Sequence, residues 1–424
     1  MTTELKLPGL FRFWLPLQAT WLMMASEGPF LAAVIARLAE PKHNLAAYGV
    51  AFALAIMVEA PVIMMMSAAT ALVDSAENYR RLRAFMWALN LMITVQMAGL
   101  LFTPLWSLLV DDLMRLDPEV ARLARTAMII LLPWPAAIGY RRFCQGLLIR
   151  AGLTRRVAWG TLIRLVAMGA AAIAVRAFTQ WPGAWVGASA LTAGVCAEAL
   201  ASRLMATATI RGFLATSGGA SLSYRDILVF YYPLALTSTI SLVVHPMVTF
   251  FMGQARFSLE SLAVLPVINS LVFIFRTPGL SYQEVAVTML GRSWGNLNLV
   301  RLFAAILGIG ATIGLAAIAL TPLSGIWFET VSGLTPELAD FARGPIIILI
   351  AMPALSVLLS LQRSLLVARR STAPITWASV IEVGGILIVL LLTLRLGNWV
   401  GVTAAATAFM VGRLGGNLFL GRPR

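Results

Sequence analysis

The sequence predicts an all-α membrane protein: twelve transmembrane helices in two six-helix lobes related by a pseudo-twofold axis along the membrane normal. Three observations carry this. Of the 424 residues, 60% are hydrophobic and only 12% charged, more apolar than a water-soluble core requires. Apolar runs of about 20 residues, enough to cross ~30 Å of hydrocarbon, return along the whole chain. Prolines keep register between the halves. Pro16, Pro29 and Pro61 recur 217 residues on as Pro233, Pro246 and Pro278, and Pro104, Pro118 and Pro135 recur 218 residues on as Pro322, Pro336 and Pro353. Internal repeats of this size define whole architectures.

In order, the first six spans fall at 12–36, 44–73, 84–110, 121–149, 158–178 and 184–206. The second six fall at 226–252, 261–290, 301–322, 340–366, 374–394 and 400–420. The first run contains Phe13-Trp14-Leu15-Pro16-Leu17, matched by Phe230-Tyr231-Tyr232-Pro233-Leu234 in the seventh. It is too long for the apolar region of a cleavable signal and lacks a small-residue cleavage site, so it stays as a helix. The fourth span opens on Asp117-Pro118-Glu119-Val120 and the tenth on Thr335-Pro336-Glu337-Leu338. In each, a capping oxygen precedes a proline at the first helical residue, and a glutamate follows at the positive end of the helix. Residues 1–206 form the first lobe and 226–424 the second; 207–225, with Ser217-Gly218-Gly219, is a polar cytoplasmic linker. An even number of spans per half brings the second half in from the same side. Substrate is then held where the halves meet, as in transporters built from parallel repeats.

The net charge of +14 is unevenly spread. Loops on the side of the N-terminus carry roughly twice as many Lys and Arg as the opposite side. This bias puts both termini in the cytoplasm and the chain in a cytoplasmic (inner) membrane. Basic loops there need only anionic lipid, so no nucleic-acid partner is implied. Trp106, Trp181, Trp185, Trp327 and Trp399 lie at outer span ends, where an aromatic belt is expected. Cys144 and Cys196 fall inside spans as small packing residues. The two lysines, Lys6 and Lys42, follow no glycine, so the phosphate-cradling loop of an ATPase is absent. His43 and His245 form no zinc-binding pair and no nucleophile elbow is present. No enzyme activity, cofactor or metal is therefore expected, and active transport would draw on an ion gradient or a partner chain.

Ionisable residues at bilayer depth cost about 2.5–3.5 kcal/mol on insertion scales, so each needs a partner, a wet cavity or a function. Glu27, Glu59, Glu198, Glu284 and Glu382 lie in spans, as do Arg141, Arg142, Arg164 and Arg276. The repeat sets Glu59 opposite Arg276 and Arg164 opposite Glu382, so equivalent positions carry opposite charge. Glu59 and Arg276 lie near the midplane. They would either form one ion pair that gates the pathway or find separate partners within each lobe. Asn269, Arg276 and Gln283, seven apart, share a face of the eighth span with Glu284 beside them. Ser238, Ser241 and His245 form a second polar stripe, and Thr20 and Glu27 a third. Gly28 is the repeat partner of His245, so Glu27 and His245 sit at similar depth and are candidates for proton coupling. Arg141, Arg142 and Gln145 line an anion pathway if they face a cavity, or snorkel to lipid phosphates if they do not.

The Asp117-Pro118-Glu119-Val120 block and Gln145-Gly146-Leu147-Leu148-Ile149-Arg150-Ala151-Gly152 resemble the multidrug and toxic-compound extrusion (MATE) transporters and the wider superfamily that includes polysaccharide and lipid-linked-oligosaccharide flippases. Ala47-Tyr48-Gly49-Val50-Ala51, Phe230-Tyr231-Tyr232-Pro233-Leu234-Ala235-Leu236 and Glu27 resemble the progressive ankylosis family more closely. The resemblance spans essentially the whole chain and implies a two-lobed alternating-access exporter in which the second and eighth helices face each other. It implies organic anions as substrates on the ankylosis-like side and cationic drugs on the MATE side. Many MATE proteins carry an aspartate in the first helix, where this chain has Glu27-Gly28-Pro29.

The expectation is a monomeric secondary exporter of a small organic solute, an organic anion in preference, driven by a proton or sodium gradient. Glu27, Glu59, His245 and Arg276 would serve coupling and gating. Thr20, Ser238, Ser241, Asn269, Gln283, Glu284, Arg141, Arg142 and Gln145 would line the pathway. The alternatives are cationic drug efflux and a flippase for a lipid-linked precursor; a passive channel or a membrane scaffold would be a different class.

Overall fold

Twelve long helices account for nearly all of the computed structural model, which describes residues 7–216, 222–292, 294–369 and 373–422. They are α1 Leu7–Ala36, α2 Pro41–Leu72, α3 Ala76–Phe102, α4 Pro118–Arg150, α5 Thr154–Phe178, α6 Gly183–Met205, α7 Tyr224–Gly253, α8 Ser258–Leu290, α9 Trp294–Leu320, α10 Pro336–Ile348 with Met352–Ala368, α11 Ala373–Leu394 and α12 Gly401–Leu420. Each of α1 to α9, and α11, is long and apolar enough to cross a membrane, and α10 qualifies as one span bent by 41°. Helix α12 is less apolar because Arg413 and Asn417 lie along it. All twelve sequence spans are thus helices. The third is shifted, since Ser75 caps α3 ahead of its charged first turns and Pro104 follows its last residue. Side chains such as Ile173 (71% exposed) and Phe178 (87%) face outward, as a lipid-facing surface requires.

Three of the repeated prolines fall at helix breaks, while Pro16, Pro233 and Pro278 lie inside unbroken stretches of helix. Helix α1 divides at Ser26 ahead of Pro29, α2 passes through a 3₁₀ turn at Ala60–Val62 around Pro61, and α7 divides at Val243 ahead of Pro246. The expected caps are in place. The Asp117 carboxylate accepts from the Glu119 and Val120 amides at 2.9 and 3.4 Å, and the Thr335 hydroxyl from the Leu338 amide at 3.5 Å.

The duplication recurs in backbone detail. π-Helical turns at Leu108–Leu113 and Ile326–Val331 are 218 apart and end on left-handed residues, Arg115 (φ 52°) and Gly333 (φ 74°). Glu40 (φ 49°) and Phe257 (φ 54°), 217 apart, take the same conformation in the turns before α2 and α8. The Ala184 amide donates to Asn44 Oδ1 at 2.9 Å, and its counterpart, the Val402 amide, donates to Ser261 Oγ at 3.1 Å.

The chain forms two compact units, and these are not the two sequence halves. One comprises residues 1–37 and 251–424, hence α1 with α8 to α12; the other comprises 38–250, hence α2 to α7. Each takes its first helix from the other half of the repeat. In the first unit, Leu10 and Trp14 of α1 pack with Tyr282, Phe303 and Val357, and the Trp14 ring meets Phe303 edge-on at 5.7 Å. In the second, Tyr231 of α7 joins Met65, Phe143 and Leu147 in the core and meets Phe85 edge-on at 5.2 Å. The anticipated linker at 207–225 is helical at Thr207–Ala215, while Ser217-Gly218-Gly219 lies outside the described residues. Of the expected outer tryptophans, Trp181 and Trp399 are exposed, but Trp106 is buried, because the turn after Pro104 folds it inward.

Candidate functional site

The exchanged helices satisfy backbone and side-chain groups beside Pro61 and Pro278. The 3₁₀ turn at Ala60–Val62 interrupts the α-helical ladder and leaves carbonyls there to other donors. On α2, the Ala60 carbonyl accepts from Ser238 Oγ of α7 at 2.8 Å, and the Pro61 carbonyl from Tyr231 Oη at 2.5 Å. The equivalent seam, α1 on α8, is a buried chain of side chains. Trp14 Nε1 donates to Ser281 Oγ at 2.8 Å, Ser281 Oγ to Gln18 Oε1 at 2.7 Å, and Gln18 Nε2 to Thr277 Oγ1 at 2.8 Å. Tyr231 is the repeat partner of Trp14. Sequence reasoning missed Gln18, Thr277 and Ser281, although the i, i+4 pairs Trp14/Gln18 and Thr277/Ser281 were there to be read.

Each unit also holds a cluster of charge, largely buried in the second unit and half-buried in the first. In the second unit Glu198 of α6, fully buried, pairs with Arg141 of α4 and lies 3.4 Å from Arg164 Nε of α5. Gln145 Nε2 donates to its other oxygen at 3.0 Å. Arg141, Gln145 and Arg164 are all at most 6% exposed. Arg141 and Gln145, expected to line a pathway, are here buried against Glu198. Glu198 on the neighbouring helix holds both, because a buried carboxylate needs a donor on each oxygen, here a guanidinium on one and an amide on the other. Arg142, one residue on, points away and sets Nη1 3.8 Å from the Met66 sulfur. Glu59 of α2 is buried within the electrostatic reach of Arg141, Arg142 and Arg164, and its Oε2 has no hydrogen-bond partner among the described residues.

The first unit builds its cluster with signs exchanged. Glu382 of α11, the repeat partner of Arg164, pairs with Arg413 of α12 at 2.8 Å. Arg363 of α10, the partner of Gln145, donates to Ser379 Oγ at 3.2 Å. The position matching Glu198 is Gly416, and the Glu382 carboxylate lies 3.6 Å from where a Cβ on Gly416 would stand. Arg276 of α8 donates from Nε to Ser356 Oγ of α10 at 3.2 Å and is within the electrostatic reach of Arg413, Glu382 and Arg363. Glu59 and Arg276 each lie near the charge cluster of their own unit. Three arginines stand with two carboxylates in the second unit, and three arginines with one carboxylate in the first.

The other anticipated residues are spread more widely. Thr20 Oγ1 donates to the Pro16 carbonyl at 3.2 Å, and Ser241 Oγ to the Thr237 carbonyl at 3.0 Å, so both bond within their own helices. Glu27 and His245 each sit just past the break of α1 and α7, Glu27 half-buried and His245 exposed. Asn269 and Gln283 are half-buried; the Gln283 carbonyl accepts from Ser364 Oγ at 3.2 Å, and the exposed Glu284 bonds the Trp21 indole.

No family model matches the chain, and no curated protein matches it in sequence. Solved structures do match its fold. A multidrug resistance MATE family transporter of the MOP superfamily, in an inward-facing conformation, has a TM-score of 0.73 at 16% identity, over 95% of this chain and 94% of that one. The lipid II flippase MurJ, in an inward closed conformation, has a TM-score of 0.72 at 15% identity, over 96% of this chain and 86% of that one. A MOP superfamily transporter from Pyrococcus furiosus, described as having a binding pocket of reverse polarity, has a TM-score of 0.64 at 15% identity, over 97% and 95%. The chain shares the fold of these transporters.

Proposed function

We propose that this chain is a secondary transporter that exports a small organic solute by alternating access, and that it prefers an organic anion. The observation that carries the reading is the surplus of arginine over carboxylate in the buried and half-buried charge clusters within the spans. Desolvated cations of that kind favour an incoming negative charge and disfavour a cationic one. In this reading Arg276 and Arg142, whose guanidinium groups bond only to neutral partners among those described, bind or attract substrate. Glu59, with an unsatisfied carboxylate oxygen, couples transport to a proton or sodium gradient, and Glu27 and His245 assist at the breaks of α1 and α7. Thr20, Ser241, Asn269, Gln283 and Glu284 belong to the pathway surface, and the buried Ser238, Arg141 and Gln145 stand behind it. The charge bias of the loops supports an inner-membrane protein with both termini in the cytoplasm. The protein works as a monomer, and the repeat between 1–206 and 226–424 records a duplicated ancestor.

The test is flux in proteoliposomes under an imposed proton or sodium gradient, with organic anions and cationic dyes offered in parallel. Gradient-driven anion movement is expected, reduced about tenfold or more in Arg276→Gln, while Glu59→Gln keeps anion exchange but loses its gradient dependence. Movement of dyes with no movement of anions would overturn the anion preference. The likeness to a lipid II flippase favours a second reading, translocation of a lipid-linked precursor. Movement of a lipid-linked anion where soluble anions stay still would select it.

A further inference from the structure

A second basic site stands apart from the buried charge clusters, at the other side of α4 and within the second unit alone. Tyr79, Arg83 and Trp87 are spaced by four on α3, so they form one stripe. Facing them are Tyr140 and Cys144 of α4 and Arg203 near the end of α6, with the helix Thr207–Ala215 above. Together they enclose a cavity of about 340 Å³, within the ~300–1,000 Å³ usual for small-molecule sites.

The lining contains two arginines and no acid. Arg83 lies over the Tyr79 ring at 5.4 Å, and Arg203 donates to Thr207 Oγ1 at 3.0 Å; neither guanidinium is paired with a carboxylate among the described residues. The Trp87 and Tyr140 rings are 5.4 Å apart, and Trp87 is 52% exposed at the rim. The site lies where α3 begins and α6 ends, the end of the bundle that the loop charges assign to the cytoplasm. At that depth an amphipathic aromatic rim and paired cations meet phospholipid headgroups rather than acyl chains. Two unpaired arginines supply bidentate, charge-assisted donors for a phosphate.

We propose that this cavity binds the phosphate of an anionic phospholipid from the inner leaflet, with Arg83 and Arg203 as the donors and Trp87 against the glycerol backbone. Phosphate is the chemistry recognised; the exposed tryptophan rim favours a lipid over a free anion as its source. The site does not depend on what the protein transports.

The test is native mass spectrometry of the full chain in detergent, titrated with phosphatidylglycerol, phosphatidylcholine or inorganic phosphate. Retention of phosphatidylglycerol at least about tenfold above phosphatidylcholine is expected, lost in Arg83→Gln/Arg203→Gln and kept only in part by Arg83→Lys/Arg203→Lys, which hold the charge without the bidentate fork. Brominated phosphatidylglycerol should quench the part of the fluorescence that disappears in Trp87→Phe. Should the double glutamine variant fail to fold, Arg83→Gln alone, at the exposed rim, gives the same comparison. Phosphate that displaces the lipid, or binds in its place, supports the phosphate site and assigns it to a free anion. Equal retention of the two lipids, or undiminished binding by the glutamine variants, overturns the proposal.

Discussion

Glu198 is where one side chain matters most. It is fully buried and serves Arg141, Arg164 and Gln145 from three helix positions at once. Removing one partner of such a set leaves uncompensated buried charge, which costs more than the pair itself contributes. Glu198→Gln is expected to destabilise the protein by about 3 kcal/mol or more, seen as a lower thermal unfolding midpoint in detergent; an unchanged midpoint would show that water relieves the arginines. Arg115 is the opposite case. It is exposed and holds φ 52°, while its repeat partner Gly333 reaches φ 74° with no Cβ to oppose it. Left-handed backbone costs a side-chain-bearing residue roughly 1–2 kcal/mol. Arg115→Gly should therefore raise stability by about 1 kcal/mol once chain entropy is set against the relief, which the same unfolding measurement reads. The charged residues themselves were legible, since each stands out in an apolar span. Their partners were not: which arginine meets Glu198 depends on the rotation of three helices about their axes, and nothing local to the chain encodes that.

Between elements, glycine permits the closest crossings. A Cβ on Gly146 of α4 would stand 2.5 Å from the Met66 carbonyl oxygen and 2.6 Å from Ala69 Cβ, both on α2. A Cβ on Gly279 of α8 would stand 3.0 Å from backbone atoms of Ser356 and Val357 on α10. Helices 2 and 4 of one half and 8 and 10 of the other are repeat counterparts, so both units use a small residue to bring these helices into contact. Gly146→Ala and Gly279→Ala should each cost about 1–3 kcal/mol by forcing the backbones apart. Gly146 should cost more, because its Cβ would stand closer to fixed backbone, 2.5 Å against 3.0 Å. Comparing midpoints of the two variants with that of Gly99→Ala, where a Cβ meets nothing within 4 Å, checks the claim. The caps at Asp117 and Thr335 and the breaks near Pro29, Pro61 and Pro246 were legible in advance, because proline and capping chemistry act within a few residues.

For the whole molecule, the exchange of α1 and α7 has a consequence for folding. Each compact unit draws its helices from both halves of the repeat. Residues 1–206 alone would carry α1 without Thr277 and Ser281, and α2 without the Tyr231 and Ser238 hydroxyls that serve its broken turn. Expressed alone, that half is expected to aggregate or be degraded. Co-expressed with 207–424, it should co-purify as a complex, which size-exclusion chromatography in detergent would detect. A half that stays monodisperse by itself would show that these seams contribute little.

The sequence by itself determined the twelve helices, their caps and proline breaks, the duplication, and the opposite charges at equivalent depths. All of these follow from hydropathy, propensity and spacing, which act over a turn or two of helix or repeat in fixed register. Only the tertiary structure decided that Glu59 and Arg276 lie near separate clusters, that Glu198 seals Arg141 and Gln145 away, and that Trp14 and Tyr231 hold helices of the other half. Those outcomes rest on which faces of distant helices meet. A long-range contact is selected by the packing of the whole unit, and the residues at its two ends carry no local mark of each other.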